Sequence, residues 1–337
     1  MNIRYFYLVL VALGLSLVAC KEKKAEAGFI ATGDQAVDDL SRKIEKAPLQ
    51  ADNYFQRASV LYEKEEYARV IADMEKALAI DSLNPSYYHL LADGYMDYYR
   101  SKDALATMRK LLKIYPDRVP SLLKLAELEY IVKRHDVSIY NCNLILKDNP
   151  QNAEAFFMLG LNFKELGETK KAINSFQTAV ENNPDLLDAW IIIADMYAEQ
   201  GDDKALDYYN SAIMLAPDKP EMKHSKAFYL QNNGKVEEAK EMYRDVIIST
   251  PSYGLAFLNL GVLYLQQDSI DLAFEQFDIL ASREPTNPNA FFYRAQTHFI
   301  KGDMEAAKVD LQNTLRLNSE DKDAQGLLDE VLMELAG

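Results

Sequence analysis

The chain has 337 residues, 49% hydrophobic and 26% charged, the balance of an ordinary folded protein, which excludes a largely disordered chain and a bundle of membrane spans. Its 37 Lys and Arg against 52 Asp and Glu give a formal charge of −15, so a polyphosphate backbone is repelled and nucleic acid is not expected as a partner. Two cysteines cannot build a disulfide framework, and they are not spaced as a zinc site.

The first predicted element is an export signal over residues 1–19. Arg4 precedes an apolar run from Tyr5 to Leu15 and beyond, without an acidic residue, that is short for a membrane span and ends in Leu17-Val18-Ala19-Cys20. Those four residues resemble the lipobox of bacterial lipoproteins, in which the bond before the cysteine is cut and the cysteine acylated. The resemblance implies lipidation at Cys20 and, because Lys21 rather than Asp follows, sorting to the outer membrane of the bacterial envelope. Removing residues 1–19 takes away one cation, Arg4, so the mature balance is 36 − 52 = −16. Residues 20–33 are charged and lack apolar periodicity, which predicts a tether with a coil dimension of roughly 20 Å.

From Asp34 onward the sequence repeats itself. Helix-ending residues recur at Pro48, Ser82, Pro116, Pro150, Pro184, Pro217, Pro251, Pro285 and Ser319, with seven intervals of 34 residues and one of 33. The eighth place of each block is small: Ala58, Ala92, Ala126, Gly160, Ala194, Ala227, Gly261 and Ala295. Twelve residues later, or eleven in the 33-residue block, a second small place holds Ala104, Ala172, Ala205, Ala239, Ala273 and Ala307, with Val70 and Ser138 in the other blocks. Small side chains let two antiparallel helices approach closely. Large ones between them (Tyr54, Tyr88, Phe156, Trp190, Phe257 and Phe291; Phe176, Tyr209, Tyr243 and Phe277) fill the remaining space. Gly167, Gly201, Gly234 and Gly302 mark the turn between the helices.

This pattern resembles the tetratricopeptide repeat. The resemblance implies an all-α, right-handed superhelical solenoid of antiparallel helix pairs. It covers eight repeats at 51–84, 85–118, 119–152, 153–186, 187–219, 220–253, 254–287 and 288–321. Residues 34–50 are expected to be a half repeat with Ala36 and Leu40 in phase, and residues 322–337 a capping helix over the last apolar face. Block 119–152 fits worst, with Glu129 where an aromatic is usual. In block 187–219 Gly201 stands four residues before Ala205 instead of five, which predicts that the lost residue is absorbed in the inter-helix turn.

In the family the first helix of each pair lines the concave side, and the helical period puts the fifth, ninth, twelfth and thirteenth places of each block on that stripe. The candidate partner-binding residues are Tyr62, His89, Asp93, Met96, Asp97, Glu127, Tyr130, Asp195, Glu199, Phe228, Leu258, Phe292 and Phe299. From 59 to 199 the stripe carries seven carboxylates against Lys164, and from 224 to 300 it is uncharged apart from histidine. A basic segment bearing apolar side chains suits the first part and an apolar segment the second. The alternative is that the acids are merely solvated and the apolar members pack against neighbouring repeats or the cap. No lysine holds the fifth place of any block, so the two-carboxylate clamp that some relatives use for acidic tails is not expected.

Catalysis has no support in the residue pattern. His89, His135, His224 and His298 lie in different repeats without metal spacing, and Cys142 falls on a packing place where it reads as a small buried apolar group. No cofactor or metal is expected. The reading is a monomeric, lipid-anchored scaffold that binds protein or peptide partners. The alternatives are a solute-binding or enzymatic lipoprotein with an enclosed pocket, and a self-stacking structural protein.

Overall fold

The computed structural model describes residues 32–336; the predicted export signal, Cys20 and most of the tether lie outside the described residues. Among the described residues the chain forms eighteen helices and no strand. The opening helix is α1 (Gln35–Lys46). First helices of the repeats follow as α2 (Ala51–Tyr62), α4 (Pro85–Asp97), α6 (Val119–Ile131), α8 (Ala153–Glu165), α10 (Leu187–Ala198), α12 (Pro220–Asn232), α14 (Gly254–Gln266) and α16 (Pro288–Ile300). Each alternates with a second helix: α3 (Tyr67–Ile80), α5 (Ser101–Ile114), α7 (His135–Asp148), α9 (Thr169–Asn182), α11 (Lys204–Leu215), α13 (Val236–Ser249), α15 (Ile270–Arg283) and α17 (Met304–Leu317), before the closing α18 (Lys322–Ala336). The chain divides into two compact units, Met1–Ser121 and Leu122–Gly337.

Within each unit the packing follows the small places. All eight residues at the eighth place and all eight at the second small place are buried. At Gly160 an added Cβ would stand 2.6 Å from the Phe176 ring, and at Gly261 2.5 Å from that of Phe277. Both rings are fully buried, and each contributes about 2–3 kcal/mol by leaving water. Where the second small place is Ser138, its hydroxyl donates to the Ala126 carbonyl at 2.8 Å and accepts from Asn162 Nδ2 at 2.8 Å, so the buried polar group is satisfied. Glu129, in the poorly fitting block, is fully buried beside Arg134, whose guanidinium lies 3.3 Å from Oε2.

Every first helix ends in a Schellman turn. The backbone N–H at the sixteenth place bonds the carbonyl at the eleventh, as in Glu66 to Leu61 (3.0 Å), Glu168 to Phe163 (2.8 Å) and Asp303 to His298 (2.9 Å). This motif puts the fifteenth residue in the left-handed region. Gly167, Gly201, Gly234 and Gly302 occupy it at φ between 67° and 80°, while Glu65, Tyr99, Lys133 and Asp268 adopt it without a glycine, at φ 55–60°. The first half of the next turn is closed from the first helix that follows: Tyr54 and Tyr88 donate their hydroxyls to Pro48 and Ser82 carbonyls (3.2 and 3.0 Å), and Trp190 Nε1 donates to Pro184 (2.8 Å).

The 33-residue block takes up its missing residue in the inter-helix turn. Ala172 N–H bonds the Glu168 carbonyl four residues back, whereas Ala205 N–H reaches only three, to Asp202, and Leu206 likewise to Asp203. The opening turn of α11 is wound as a 3₁₀ turn. One expectation needs correction. Ala36 was placed in phase at a packing site, but it is exposed and Val37 takes the buried side at 1% exposure. No first helix precedes α1 among the described residues, so nothing presses on Ala36. The helix instead turns Val37, Leu40 and Ile44 inward, and Asp38 accepts from Thr32.

Candidate functional site

The first-helix stripe forms grooves in both units. In the unit ending at Ser121, Phe55, Ser59, His89 and Asp93 from the stripe meet Leu90, Arg118 and Pro120 around a cavity of about 340 Å³. Imidazole Nε2 of His89 lies 3.0 Å from Ser121 Oγ, and the Arg118 guanidinium donates to the same hydroxyl at 3.0 Å. Beside this cavity on the stripe, the Tyr62 hydroxyl donates to Asp97 Oδ2; burial, then this bond, raises the Tyr62 pKa above the usual phenol value. Met96 is half-buried on the same helix as Asp97.

In the second unit the stripe opens into a groove of about 470 Å³ between α10 and α12. It is lined by Asp195, Ala198 and Glu199, by His224, Phe228 and Asn232, and by Tyr209, Ser225, Tyr229 and Asn233. Tyr209 donates its hydroxyl to Asp195 Oδ1 at 2.7 Å. Burial raises the Asp195 pKa above the carboxylate norm, against the lowering effect of that bond. Burial likewise lowers the pKa of His224, whose Nε2 sits 2.9 Å from Asn259 Nδ2, so the imidazole is neutral at pH 7.

A third groove, about 760 Å³, runs between α16 and α18: Phe292, Gln296, Phe299 and Ile300 face Lys322, Gly326, Leu327 and Glu330. Phe292 and Phe299 also pack on the cluster formed by Ala295, Leu311, Leu328 and Val331. All three grooves are open to solvent rather than enclosed.

The structure therefore brings His89 and Asp93 together, Tyr62 with Asp97, and Asp195, Glu199 and Phe228 in one groove. Other candidates are otherwise engaged. Glu127 is ion-paired with Lys124 at 2.9 Å, Tyr130 lies edge-on to His135 at 5.7 Å, and Leu258 packs on the cores around Tyr264 and Phe257. Sequence reasoning missed Arg118, Tyr209, Tyr229 and Asn233. Arg118 is the last residue of its block and lies in a turn, outside any helical stripe, so it adds a cation to the groove that the stripe does not contain. Tyr209 was recognised as a filler of the helix interface, and only its hydroxyl reaches the groove.

Among the described residues no three His, Cys, Asp or Glu side chains stand together as a metal site. Cys142 is fully buried, and burial pushes its thiol up to about 12, far from thiolate at neutral pH.

Comparison with known proteins agrees with the helix-pair architecture. The family model for the tetratricopeptide repeat matches residues 157–220 and 226–288, in register with the pairs from α8 to α15. Over those residues the chain is built of tetratricopeptide repeats. Its fold is the helical-repeat solenoid: a crystal structure of the C-terminal part of a TPR repeat-containing protein from Cytophaga hutchinsonii superposes at TM-score 0.61, with 18% identity, over 71% of this chain and 99% of that one. Among curated relatives, TPR repeat-containing protein YpiA of Bacillus subtilis is 22% identical over 88% of this chain and 69% of its own length. Human tetratricopeptide repeat protein 6 is 26% identical over 45% of the chain. The chain spans 29% of that human protein and 20% of human tetratricopeptide repeat protein 13.

Proposed function

We propose that this tetratricopeptide protein is a non-enzymatic, monomeric scaffold, lipid-anchored through Cys20 at a bacterial cell-envelope membrane, the outer membrane by its Lys21, that binds protein partners along the first-helix stripe. Tetratricopeptide arrays act as protein-interaction scaffolds, which supports the class. One observation carries the choice of surface: stripe residues that a closed core would bury stay open in grooves, with Phe228 47% exposed between the carboxylates of α10 and the amides of α12. An aromatic ring left half in water beside charged rim groups has the composition of a protein-binding site. The open form of the grooves disfavours the enclosed small-molecule pocket that a solute-binding protein or an enzyme needs.

Acyl chains on Cys20 would contribute about 0.8 kcal/mol per buried methylene and hold the repeats beside the bilayer, raising their effective concentration toward membrane-associated partners. No helix among the described residues is long and apolar enough to cross a membrane. The test has two arms. Radiolabelled palmitate should enter the protein and be lost in Cys20→Ser, with release from the membrane fraction; an unlabelled protein removes the anchor from the proposal. Crosslinking in cells should lose partners when Asp93, Asp97 and Glu127 are reversed to lysine. Partners retained unchanged at all salt concentrations would show that the acidic stripe is not the binding surface.

A further inference from the structure

We infer that the groove between α10 and α12 seats a cationic side chain, lysine or arginine, of a bound protein segment, with Asp195 as its counter-ion. This rests on the reading of the first-helix stripe as the binding face and specifies what one groove of it selects.

Two aspartates of the repeats are buried against an arginine. Asp73 is 5% exposed and takes both oxygens to Arg57, at 2.7 and 2.6 Å. Asp310 is 3% exposed and takes both to Arg294, at 2.8 Å each. A carboxylate withdrawn from water is tolerated when a guanidinium replaces the lost hydration, and these two repeats each supply one from within; Asp38, ahead of the repeats and 5% exposed, instead accepts from the Thr32 N–H and hydroxyl at 2.8 Å each. Asp195 is treated differently. It is withdrawn from water enough for burial to raise its pKa, yet its hydrogen bond comes from a neutral phenol, Tyr209. Neither Asp195 nor Glu199 forms an ion pair among the described residues; Lys164 acts on Asp195 only through its charge, without a hydrogen bond or ion pair. His224, the imidazole lining the groove, is kept neutral by its own burial and does not supply the charge.

The rest of the lining matches the remainder of a basic side chain. Phe228 offers a half-exposed ring to an aliphatic stem or a cation. Exposed Glu199 caps the C-terminus of α10, four residues after Asp195, where it can take a second donor of a guanidinium. Asn232 lies at the edge of the groove with its amide making no hydrogen bond among the described residues, free for the backbone of an extended segment. A multidonor cation on a long apolar stem is the group that uses Asp195, Glu199 and Phe228 together.

The experiment is selection of peptides from a random phage-displayed library on the full chain, followed by affinity measurement of the enriched peptides. Lysine or arginine should be enriched. Asp195→Asn and Glu199→Gln should each weaken such peptides about tenfold or more, with the wild-type circular dichroism melt retained. Replacing the basic residue of the peptide by norleucine should cost as much, and Asp195→Asn should then cost nothing further. Peptides that lack basic residues, or basic peptides indifferent to Asp195→Asn, overturn the inference; if Phe228→Ser weakens those peptides, the stripe still stands as the binding face. Peptides indifferent to Phe228→Ser as well, or no enrichment at all, overturn both.

Discussion

Repeats five and eight present the same helical stripe and end in opposite conditions. In repeat eight the stripe lies against α18, with Phe292 and Phe299 packed toward Leu328 and Val331, and Arg294 ties together Asp278 and Asp310. Arg294 and its two aspartates are matched, and the rings are partly covered, from within the chain. In repeat five the stripe meets solvent, Asp195 has a phenol for a partner, and Glu199 has none among the described residues. What differs is the neighbour: in repeat eight the capping helix packs against the rings of the stripe and leaves an open groove beside them, whereas in repeat five the stripe faces only a further repeat. In an array whose repeats touch only the next in line, binding capacity survives where the chain does not complete its own surface.

The strongest way to break this contrast is to uncap repeat eight. Val331 is fully buried among Ala295, Ala307 and Leu311, so Val331→Asp places a carboxylate where no cation waits and should cost about 4 kcal/mol. Nearest-neighbour coupling confines the damage. The one tryptophan, Trp190, sits in repeat five, so the urea midpoint read by circular dichroism should fall in its C-terminal portion while that read by Trp190 fluorescence hardly moves. Equal shifts of both probes would mean that the array unfolds as one block.

A smaller effect is expected from Arg294→Ala. The Arg294 side chain is 20% exposed and Asp310 4%; truncation leaves Asp310 uncompensated apart from His298, whose Nε2 lies 3.9 Å away. The loss should be about 3 kcal/mol, measured by urea unfolding, and Asp310→Asn added to Arg294→Ala should restore much of it. Without that rescue, the arginine acts by packing on Phe291, over whose ring it lies.

Much of this was legible before any coordinates, and the reason is physical. Close helix approach tolerates only small side chains, so Gly160 and Gly261, pressed on Phe176 and Phe277, leave a trace at fixed spacing. The helix starts at Ala51, Pro85, Val119, Ala153, Leu187, Pro220, Gly254 and Pro288 follow the same period. Other features leave no such trace. The left-handed residue of the Schellman turn shows itself when it is Gly167 or Gly302 but not when it is Glu65, Tyr99, Lys133 or Asp268, where the same capping hydrogen bonds form around a residue without glycine's freedom. Arg118 reaches its groove from a turn, where helical periodicity does not apply. The pairs Arg57–Asp73 and Arg294–Asp310 share a spacing of sixteen residues, a regularity that lies off the concave stripe.

The finest test of the contrast is Asp195→Asn, because a group completed by a partner rather than by the chain should be dispensable to the fold. The amide oxygen can still accept from Tyr209, so the bond at 2.7 Å persists. The sign with pH follows from the raised pKa. Between its unfolded and folded values the native state binds more protons than the unfolded one, so stability falls as pH rises through that window, and above it the buried carboxylate remains a cost. The neutral amide has no such cost. Asp195→Asn should therefore lie within about 0.5 kcal/mol of the parent protein, on the stabilising side at pH 7, with the gap in melting temperature closing as pH falls below the ordinary aspartate range. A variant clearly less stable at pH 7 would mean that the carboxylate already has a cation within the chain, and repeat five would then be as self-sufficient as repeat eight.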